Sequence, residues 1–351
     1  MIPFRRNHVV TTVSNTEINT SVGAKREPVH VVTTKCNPDA ISAVQCFLDV
    51  SNSIAISIFQ QPQIRNACVV DISIDCQNAC TCSVFNLIKS IGKSNYLVGD
   101  RILINPLDPI TPEKGLMGEM LDGGTAELCA VDATRLIKIP DGCSYEQAAA
   151  LPVAYGTAHR MMVTNGRMQG GEKVLILGAS GGVGSCCVLL AKMMGCEVVA
   201  AGSSPEKLEA LKAWGADHVI GYEDFEKTIY GIYGKPHRRK YEGGVDVAIN
   251  FTGGDTWVPS LKATQRGGKI LTCGATAGFD PKEDLRYVWT FELQIMGSNS
   301  WAIEDLETLM KLISEEKLKP VIDTVLPLEQ TAEGVRQLRD REVIGKIVIT
   351  P

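Results

Sequence analysis

Glycine is almost absent from the first quarter of the chain. Residues 1–90 contain one glycine, Gly23, although the 351-residue sequence has 33. The same stretch has four prolines and no tryptophan, yet it holds six of the twelve cysteines. Because tight turns need the positive φ angles that glycine readily adopts, residues 1–88 lack the usual turn composition of a folded domain. We interpret them either as an unusual all-β segment or as a stretch, such as an out-of-frame translation, that does not belong to the fold of the rest.

Other absences exclude whole classes of protein. No apolar run approaches the roughly 18 residues that a membrane span needs, and the N-terminal residues lack the apolar segment of a secretory signal. The net charge of −5 gives no indication of a nucleic-acid surface. Without a secretion signal, the cysteines are better interpreted as reduced thiols than as disulfides. We therefore expect a cytoplasmic protein, although the arginines, serines and threonines of the N-terminus faintly resemble a mitochondrial transit peptide.

Metal ligands are also scarce. Cys76, Cys80 and Cys82 lie close together, but their spacing does not form the knuckle of a tetrahedral zinc site. No histidine is near them, since the five histidines of the chain stand at positions 8, 30, 159, 218 and 237. We predict that these cysteines are thiols without a metal and that zinc is not a cofactor.

The segment 173–200, "KVLILGASGGVGSCCVLLAKMMGCEVVA", predicts a dinucleotide-binding unit. "KVLIL" has the apolar character of a buried parallel strand. "GASGGVG" follows at once, a helical pattern runs to Gly195, and "EVVAAG" predicts a second strand. This order of strand, glycine turn, helix and strand is the context that the dinucleotide fingerprint requires. An ordinary glycine-rich turn between a strand and a helix is the alternative.

Each residue of this turn has a physical role in the prediction. Gly181 would let the backbone approach a pyrophosphate, and Gly184 would let the helix pack closely on the strand. The helix N-terminus would offer N–H groups and a positive dipole end to the phosphates. The first glycine of the fingerprint is replaced by Ala179. The predicted phosphate-binding residues are Ala179, Ser180, Gly181, Gly182, Val183 and Gly184.

The end of the second strand favours NADPH over NADH. An NAD site usually has an acidic residue there to bind the ribose 2′-hydroxyl, but this strand is followed by Ser203, Ser204 and Lys207. Two hydroxyls and an ammonium suit a 2′-phosphate, and one charged hydrogen bond is worth about 1.5–3 kcal/mol. Ser204 could instead be a helix N-cap and Lys207 a solvated lysine, and both interpretations can hold at once.

The later strands end in residues suited to lining the same cofactor. "ADHVIGY", "GVDVAINFTGG" and "GGKILTCGAT" each predict a strand, and ligands of such sheets bind at the carboxyl ends of the strands. Simple turn chemistry is the alternative for each of these ends. The residues predicted to line the cofactor are Tyr222, Thr252, Gly253 and Gly274.

Four motifs occur in an order that resembles the medium-chain dehydrogenase/reductase superfamily, over residues of about 91–351: "YLVGDRILINP", "AAALPVAYGTAH", "GASGGVGSCCVLLAK" and a terminal "GKIVI". The form is most similar to its quinone oxidoreductase branch and to proteins described as zinc-type alcohol dehydrogenases. The resemblance implies a Rossmann doubly wound α/β domain at 136–285. A GroES-like β catalytic domain at 1–135 would precede it, and a return segment at 286–351 would complete that catalytic domain. It also implies a small-molecule substrate and a homodimer or homotetramer, with the subunit contact in residues 278–301.

The resemblance assigns further site residues and marks two departures. It places Thr157 of "AYGTAH" beside the nicotinamide, and it puts Tyr222 and Lys346 near the cofactor. The four-cysteine lobe of zinc-containing members is missing, because the segment after "VGDR" has no cysteine before Cys129. Neither a catalytic zinc ligand nor the asparagine-containing substrate motif of zinc-free members is recognisable in the first 90 residues.

The glycine turn and the end of the second strand favour an NADPH-binding protein, and the resemblance implies an oxidoreductase that transfers hydride to a quinone or to an activated carbon–carbon double bond without zinc. Tyr155 is a candidate proton donor, with a structural tyrosine as the alternative. A zinc-type alcohol dehydrogenase and an NADPH-binding protein without catalytic activity are the alternative functions. The basic cluster at 235–244, "KPHRRKYEGG", is either a solvated loop or a contact for an anionic group such as a coenzyme A phosphate.

Overall fold

The computed structural model describes residues 96–351 except Val98 and Ala130, and the backbone of residues 53–58, 68–75 and 79–81. No helix in this part of the chain is long and apolar enough to cross a membrane.

The strands of the described residues are, in chain order, β1 (Ser53–Ile58), β2 (Cys68–Asp75), β3 (Ala79–Thr81), β4 (Ile102–Ile104), β5 (Leu136–Lys138), β6 (Lys173–Ile176), β7 (Glu197–Ala201), β8 (His218–Ile220), β9 (Val245–Ile249), β10 (Thr264–Thr272), β11 (Gln294–Gly297), β12 (Ile322–Pro327) and β13 (Lys346–Thr350). The α-helices are α1 (Tyr145–Ala149), α2 (Gly156–His159), α3 (Gly182–Met193), α4 (Pro205–Ala213), α5 (Phe225–Tyr233), α6 (Trp257–Ala263), α7 (Leu285–Thr290), α8 (Ile303–Ser314) and α9 (Thr331–Arg339). Before α2, the segment Leu151–Tyr155 is kinked at Pro152 and Val153, whose backbone angles are not helical, and after α2 the segment Arg160–Asn165 forms a wider π-helical turn.

A six-stranded parallel sheet forms the centre of the molecule. Its strands lie in the order β8-β7-β6-β9-β10-β11, and every neighbouring pair is parallel. The chain begins in the middle with β6, moves outward to β8, and then returns to β9 on the other side of β6. This reversal confirms the prediction of a doubly wound Rossmann sheet, and it opens a crevice at the carboxyl ends of β6 and β9.

Both faces of this sheet are covered, because its residues alternate between two apolar cores. Val174 of β6 packs in one core with Leu190 of α3. The next residue, Leu175, packs in the other core with Phe225 and Ile229 of α5. Successive side chains of a strand point to opposite faces, so burial on both faces explains why the strand reads as an uninterrupted apolar run.

The strands of this sheet begin after residue 136 and end beyond residue 285, and the domain bounds of 136–285 stay a prediction. β11 lies beyond residue 285 and pairs with β10, whereas β5 pairs with β4 in a separate two-stranded sheet. The strands of the nucleotide-binding sheet therefore span residues 173–297. β11 is an edge strand whose residues are largely exposed, so it lacks the apolar run that marks the buried strands.

A second sheet combines the two ends of the described chain. Its order is β12-β13-β1-β2-β3, in which β12 and β13 are parallel and β1 and β2 are antiparallel. The strands β1, β2 and β3 come from the glycine-poor segment, and they extend the sheet of the C-terminal strands. Ile104 of β4 shares a separate apolar core with Ile347 of β13. Of the cysteine cluster, Cys76 and Cys82 lie outside the described residues.

The chain reaches the six-stranded sheet from β5 through residues 139–172 and leaves it for β12 through residues 298–321. These two crossings are hydrogen-bonded to each other. The N–H of Val321 donates to the Tyr155 hydroxyl at 2.8 Å, and His159 Nδ1 lies 2.6 Å from Asp305 Oδ1. We call this contact the crossover seam. Its polar pairs are Tyr155 with Val321, His159 with Asp305, and Asn165 with Ser298.

Asp305 is the buried centre of the seam. Its Oδ2 accepts the N–H of Ala302 at 2.7 Å, and the Thr164 hydroxyl donates to its Oδ1 at 3.4 Å. Burial by itself raises the pKa of a carboxyl group. The hydrogen bonds from His159 and Ala302, together with the nearby charge of Arg160, outweigh burial and lower the pKa of Asp305 below its ordinary value of 3.8.

Asp305→Asn removes this charge and keeps the side-chain shape. We expect the free energy of unfolding at pH 7 to fall by about 1–3 kcal/mol in urea denaturation, because buried donors lose a charged partner. Since the pKa of Asp305 is lowered in the folded state, the wild-type advantage is present above pH 3.8 and is lost as the pH falls below that value. The exposed neighbouring change Glu304→Gln is the control and should alter stability by less than about 0.5 kcal/mol. Equal stability of Asp305→Asn and the wild type at pH 7 would contradict this role.

Candidate functional site

The glycine turn between β6 and α3 leaves the first N–H groups of the helix without a side-chain cap. α3 begins at Gly182, and its N-cap residue, Gly181, has no side chain with which to cap it. The N–H of Ser185 donates to the carbonyl of Gly181 at 2.8 Å, so the N–H groups of Gly182, Val183 and Gly184 precede the helical hydrogen bonds. Such groups, at the positive end of a helix dipole, bind anions well.

Two glycines of the turn are required by close contacts. A Cβ atom at Gly184 would lie 2.1 Å from the carbonyl oxygen of Gly178, and one at Gly178 would lie 2.7 Å from the Phe251 ring. Helix α3 can therefore approach the end of β6 only because residue 184 has no side chain. The N–H of Gly345 donates to the carbonyl of Ser180 at 2.9 Å, so the return segment contacts the turn from another side.

Tyr222 ties the end of β8 to the same turn. Its hydroxyl accepts the N–H of Gly178 at 2.8 Å. Burial raises the pKa of Tyr222, while the N–H of Gly178 and the positive charge of Arg341 act in the opposite direction. The phenol therefore lies both at the glycine turn and within electrostatic reach of Arg341.

Lys207 lies beside a second cation that sequence reasoning missed. Its Nζ donates to the backbone carbonyl of Arg341 at 2.8 Å. Burial, and then the charge of Arg341, lower the pKa of Lys207. Within the described residues, neither Lys207 nor Arg341 forms an ion pair with a carboxylate. No sequence signal links two residues 134 positions apart, and only the fold of the return segment brings them together.

The two serines after β7 complete this group. Ser203 is exposed, and the Ser204 hydroxyl accepts the N–H of Lys207 at 3.4 Å as the N-cap of α4. The N-cap interpretation of Ser204 is thus confirmed, but Lys207 is buried rather than solvated. We call Ser203, Lys207, Tyr222 and Arg341 the cationic corner.

A buried asparagine, which the sequence analysis also did not single out, fixes the backbone at the end of β9. Asn250 Oδ1 accepts the N–H groups of Thr252 and Gly253 at 2.9 and 3.0 Å. Its Nδ2 donates to the hydroxyls of Thr256 and Ser260 at 3.1 and 2.9 Å. Every polar atom of this fully buried side chain is bonded, so Asn250 holds the two predicted lining residues in place. The available signal was an asparagine directly after the apolar run "VDVAI".

A cleft of about 420 Å³ opens at the carboxyl ends of β10 and β11. Asn165 Nδ2 donates to the Ser298 hydroxyl at its rim at 2.9 Å, and the Ser298 N–H donates to the Thr272 carbonyl at 2.8 Å. Gly274, predicted to line the cofactor, borders this cleft. The lining residues are Thr272, Cys273, Gly274, Ala275, Gly297, Ser298 and Asn299.

Tyr155 is not placed to donate a proton to a bound molecule. It is fully buried, its hydroxyl accepts the Val321 N–H, and its oxygen lies 3.2 Å from Ser185 Oγ. Burial raises its pKa well above the usual range. This position fits the alternative interpretation, in which Tyr155 has a structural role. The prediction that Tyr155 donates a proton therefore gains no support from the structure.

Thr157 and Lys346 are both buried. Thr157 lies in α2, which packs against α3. Lys346 begins β13, directly after Gly345, whose N–H donates to the Ser180 carbonyl. Lys346 is thus close along the chain to the glycine turn. The contact of Thr157 with the nicotinamide stays a prediction.

The structure gathers most of the predicted residues at one edge of the sheet but separates the basic cluster from them. Residues 235–244 directly precede β9 and therefore lie at its amino end, opposite the carboxyl ends that carry the turn, the corner and the cleft. A coenzyme A phosphate bound at the carboxyl edge would not meet this cluster. Within the described residues, no group of three or more histidine, cysteine or acidic side chains is arranged to hold a metal ion.

Comparison with known proteins places the chain among oxidoreductases. Residues 182–315 match the family described as zinc-binding dehydrogenase. The chain is 34% identical over 237 residues to the acryloyl-coenzyme A reductase of Sulfurisphaera tokodaii, a match that covers 66% of this chain and 67% of that protein. Curated relatives at 32–34% identity are matched over 57–67% of their own length.

Two solved structures share the fold. One is an NAD-dependent alcohol dehydrogenase, with a TM-score of 0.69 at 31% identity, covering 77% of this chain and 81% of that one. The other is the 2-octenoyl-CoA carboxylase reductase CinF from Streptomyces sp., determined with NADP and 2-octenoyl-CoA. It gives a TM-score of 0.67 at 28% identity, with 78% of this chain and 68% of that one covered.

Gly184→Ala tests the close contact that positions α3. The new Cβ would overlap the Gly178 carbonyl, so we expect a loss of about 1–3 kcal/mol in unfolding free energy, measured by urea denaturation. Gly231→Ala is the matched control, because Gly231 lies in helix α5 with no atom near the new Cβ. It should stabilise the protein by about 0.5–1 kcal/mol, the helix preference for alanine over glycine. If both changes had the same sign, the packing role of Gly184 would be refuted.

Proposed function

The chain belongs to the medium-chain dehydrogenase/reductase superfamily of NAD(P)H-dependent oxidoreductases, and from this premise we propose that it uses NADPH to reduce carbon–carbon double bonds conjugated to a thioester. Its substrates in this proposal are 2-enoyl esters of coenzyme A. The observation that carries the proposal is that the uncapped glycine turn and the cationic corner lie together at the carboxyl ends of β6, β7 and β8.

The residues at this edge fit the adenosine half of NADPH. The N–H groups of Gly182, Val183 and Gly184 suit the pyrophosphate. Lys207 and Arg341 repel each other, since the charge of Arg341 lowers the pKa of Lys207. A 2′-phosphate beside them would relieve that repulsion and accept charged hydrogen bonds. NADH has a neutral 2′-hydroxyl at this place, which would neither relieve the repulsion nor form charged hydrogen bonds.

The cleft beyond β10 and β11 fits the nicotinamide half. In a doubly wound sheet the dinucleotide crosses the crevice, and each half of the sheet binds one mononucleotide. β6, β7 and β8 take the adenosine side, so β9, β10 and β11 are left for the nicotinamide side. Asn250 supports this side, because it fixes the backbone of Thr252 and Gly253 beside the crevice.

The chain's own contribution to the reaction is to orient the cofactor against the substrate. When bound, NADPH supplies a hydride to the electrophilic β-carbon of the conjugated double bond. The turn and the corner hold the adenosine half, and the cleft residues fix the angle at which the other half meets the substrate. Since Tyr155 is buried and fully bonded, the proton for the α-carbon comes from solvent or from another hydroxyl.

The choice of an enoyl thioester follows from the relatives. The curated relative at 34% identity is named for acryloyl-coenzyme A, and the CinF structure was determined with 2-octenoyl-CoA. Both names describe double bonds conjugated to a thioester.

A substrate panel tests this function on the purified full-length chain. We expect NADPH oxidation at 340 nm with acryloyl-CoA or crotonyl-CoA, and slower or no oxidation with benzoquinone. Oxidation of alcohols by NADP⁺ that a chelator abolishes would instead identify a zinc-type alcohol dehydrogenase. Binding of NADPH without turnover of any enone, enoyl thioester or quinone would show a catalytically silent protein and contradict the proposal.

Lys207→Ala and Arg341→Ala test the cofactor preference. Each change should raise the NADPH dissociation constant by about tenfold to a hundredfold, the effect of one charged hydrogen bond. The NADH constant should change by less than about twofold, since NADH has no 2′-phosphate to contact. Lys212→Ala, an exposed lysine of the same helix, is the control and should leave both constants unchanged. Unaltered NADPH constants in both variants would contradict the assignment of the cationic corner.

The proposal includes a homodimer through strand β11 and helix α7. Within the described residues β11 pairs with β10 alone, so its other edge has open backbone groups. Large apolar side chains are exposed on β11 and on the helix that precedes it: Ile295 is 41% exposed, Leu285 60% and Trp289 66%. An open strand edge beside exposed large apolar side chains is a surface that a second copy would cover.

Ile295→Lys tests this interface. A charge on the exposed side of the edge strand should convert a dimer to a monomer at micromolar concentration, measured by sedimentation velocity. Met193→Lys, which changes a residue with the same exposed fraction of 41%, is the control and should stay dimeric. A dimer that persists in Ile295→Lys, or a wild type that is monomeric, would contradict the proposed interface.

A further inference from the structure

Ser298 occupies an unusual position, because it belongs both to the crossover seam and to the cleft. It follows β11 directly and lines the cleft. Its N–H donates to the Thr272 carbonyl at 2.8 Å, which fixes its backbone against the end of β10. Its hydroxyl oxygen accepts a hydrogen bond from Asn165 Nδ2 at 2.9 Å. Ser298 is therefore held from two sides, by the sheet and by the first crossing of the chain.

The bond from Asn165 determines what the Ser298 hydroxyl can still do. A serine hydroxyl has one hydrogen to donate and two lone pairs to accept with. Asn165 uses one of the lone pairs, so the hydrogen stays available as a donor. A group at the rim of the cleft that presents a donor suits a carbonyl oxygen.

We propose that Ser298 donates a hydrogen bond to the carboxamide carbonyl of the nicotinamide, and that Asn165 is a positioning residue that sets the polarity of this hydroxyl. The inference rests on the proposed function, which puts the nicotinamide half of NADPH in this cleft. Two residues that are 133 positions apart thereby orient the reacting ring. The carboxamide is a suitable recognition element, since its carbonyl is the acceptor nearest to the ring.

The seam gives this pair a stable base. His159 and Asp305 join the same two crossings with a bond of 2.6 Å, and the Tyr155 hydroxyl accepts the Val321 N–H at 2.8 Å. These bonds hold the first crossing against the second along its length. Asn165 therefore reaches Ser298 from a fixed support, and little conformational freedom is lost when the cofactor binds.

Binding measurements on the full-length chain test the proposal with two probes, NADPH and 2′,5′-ADP, the latter lacking the nicotinamide half. Ser298→Ala should raise the NADPH dissociation constant by about two- to tenfold, the effect of one neutral hydrogen bond. The 2′,5′-ADP constant should stay within about twofold of the wild type, because this probe does not reach the cleft. Ser298→Thr keeps the hydroxyl and should restore NADPH binding to near the wild-type value.

Asn165→Asp separates positioning from mere packing. The amide of Asn165 donates to the Ser298 hydroxyl oxygen, whereas a carboxylate of the same size can only accept the hydroxyl hydrogen. In this variant the Ser298 hydrogen is therefore no longer available to a group in the cleft. We expect this variant to raise the NADPH dissociation constant by the same factor as Ser298→Ala does. The double variant should bind NADPH no more weakly than either single variant. Thermal unfolding of each variant confirms that the fold is intact.

The outcomes are distinguishable. If the wild type binds 2′,5′-ADP and NADPH but Ser298→Ala and Asn165→Asp leave the NADPH constant unchanged, the inference is overturned and the proposed function stands. If the variants bind NADPH and 2′,5′-ADP more weakly by the same factor, the seam has only a structural role and the inference is also overturned. If the wild type binds neither probe, the proposed function itself fails.

Discussion

The close packing of helix α3 on the glycine turn is the contact on which the site depends. The Gly184 position has no room for a Cβ beside the Gly178 carbonyl, so the N-terminus of α3 lies directly at the carboxyl end of β6. That position faces the crevice that the strand order opens between β6 and β9. Tyr222 bonds to the same turn from β8, and the Ser180 carbonyl accepts a bond from Gly345 of the return segment. The turn is thus held from the sheet and from the tail.

The cationic corner shows how the two parts of the chain share one function. Lys207 lies at the start of α4 in the nucleotide-binding part, whereas Arg341 follows α9 in the return segment. Burial and a neighbouring cation destabilise the charged form of Lys207, and a bound phosphate would restore it. In the proposed function, cofactor binding therefore also holds the return segment against the nucleotide-binding sheet.

Local sequence patterns predicted those parts of the fold that depend on local physics. The apolar run "KVLIL", the glycine turn and the helix that follows were recognisable because burial on both faces and steric limits act on consecutive residues. β11 was missed because it is an exposed edge strand. Arg341, and the bond between Asn165 and Ser298, could not be predicted, since they join residues more than 130 positions apart. Tyr155 has the residue type of a proton donor, but its burial could not be predicted, because it depends on the contact with Val321, which is 166 positions away.

In the proposed function, the glycine turn and the cationic corner form one site for an adenosine nucleotide that carries a 2′-phosphate. Isothermal titration of the full-length chain with 2′,5′-ADP and, separately, with 5′-AMP tests it most directly, because the two ligands differ only in the 2′-phosphate. We expect one binding site per chain, with 2′,5′-ADP bound at least about tenfold more tightly than 5′-AMP through a charged hydrogen bond. Equal affinity for the two ligands, or no saturable binding of 2′,5′-ADP, would contradict it.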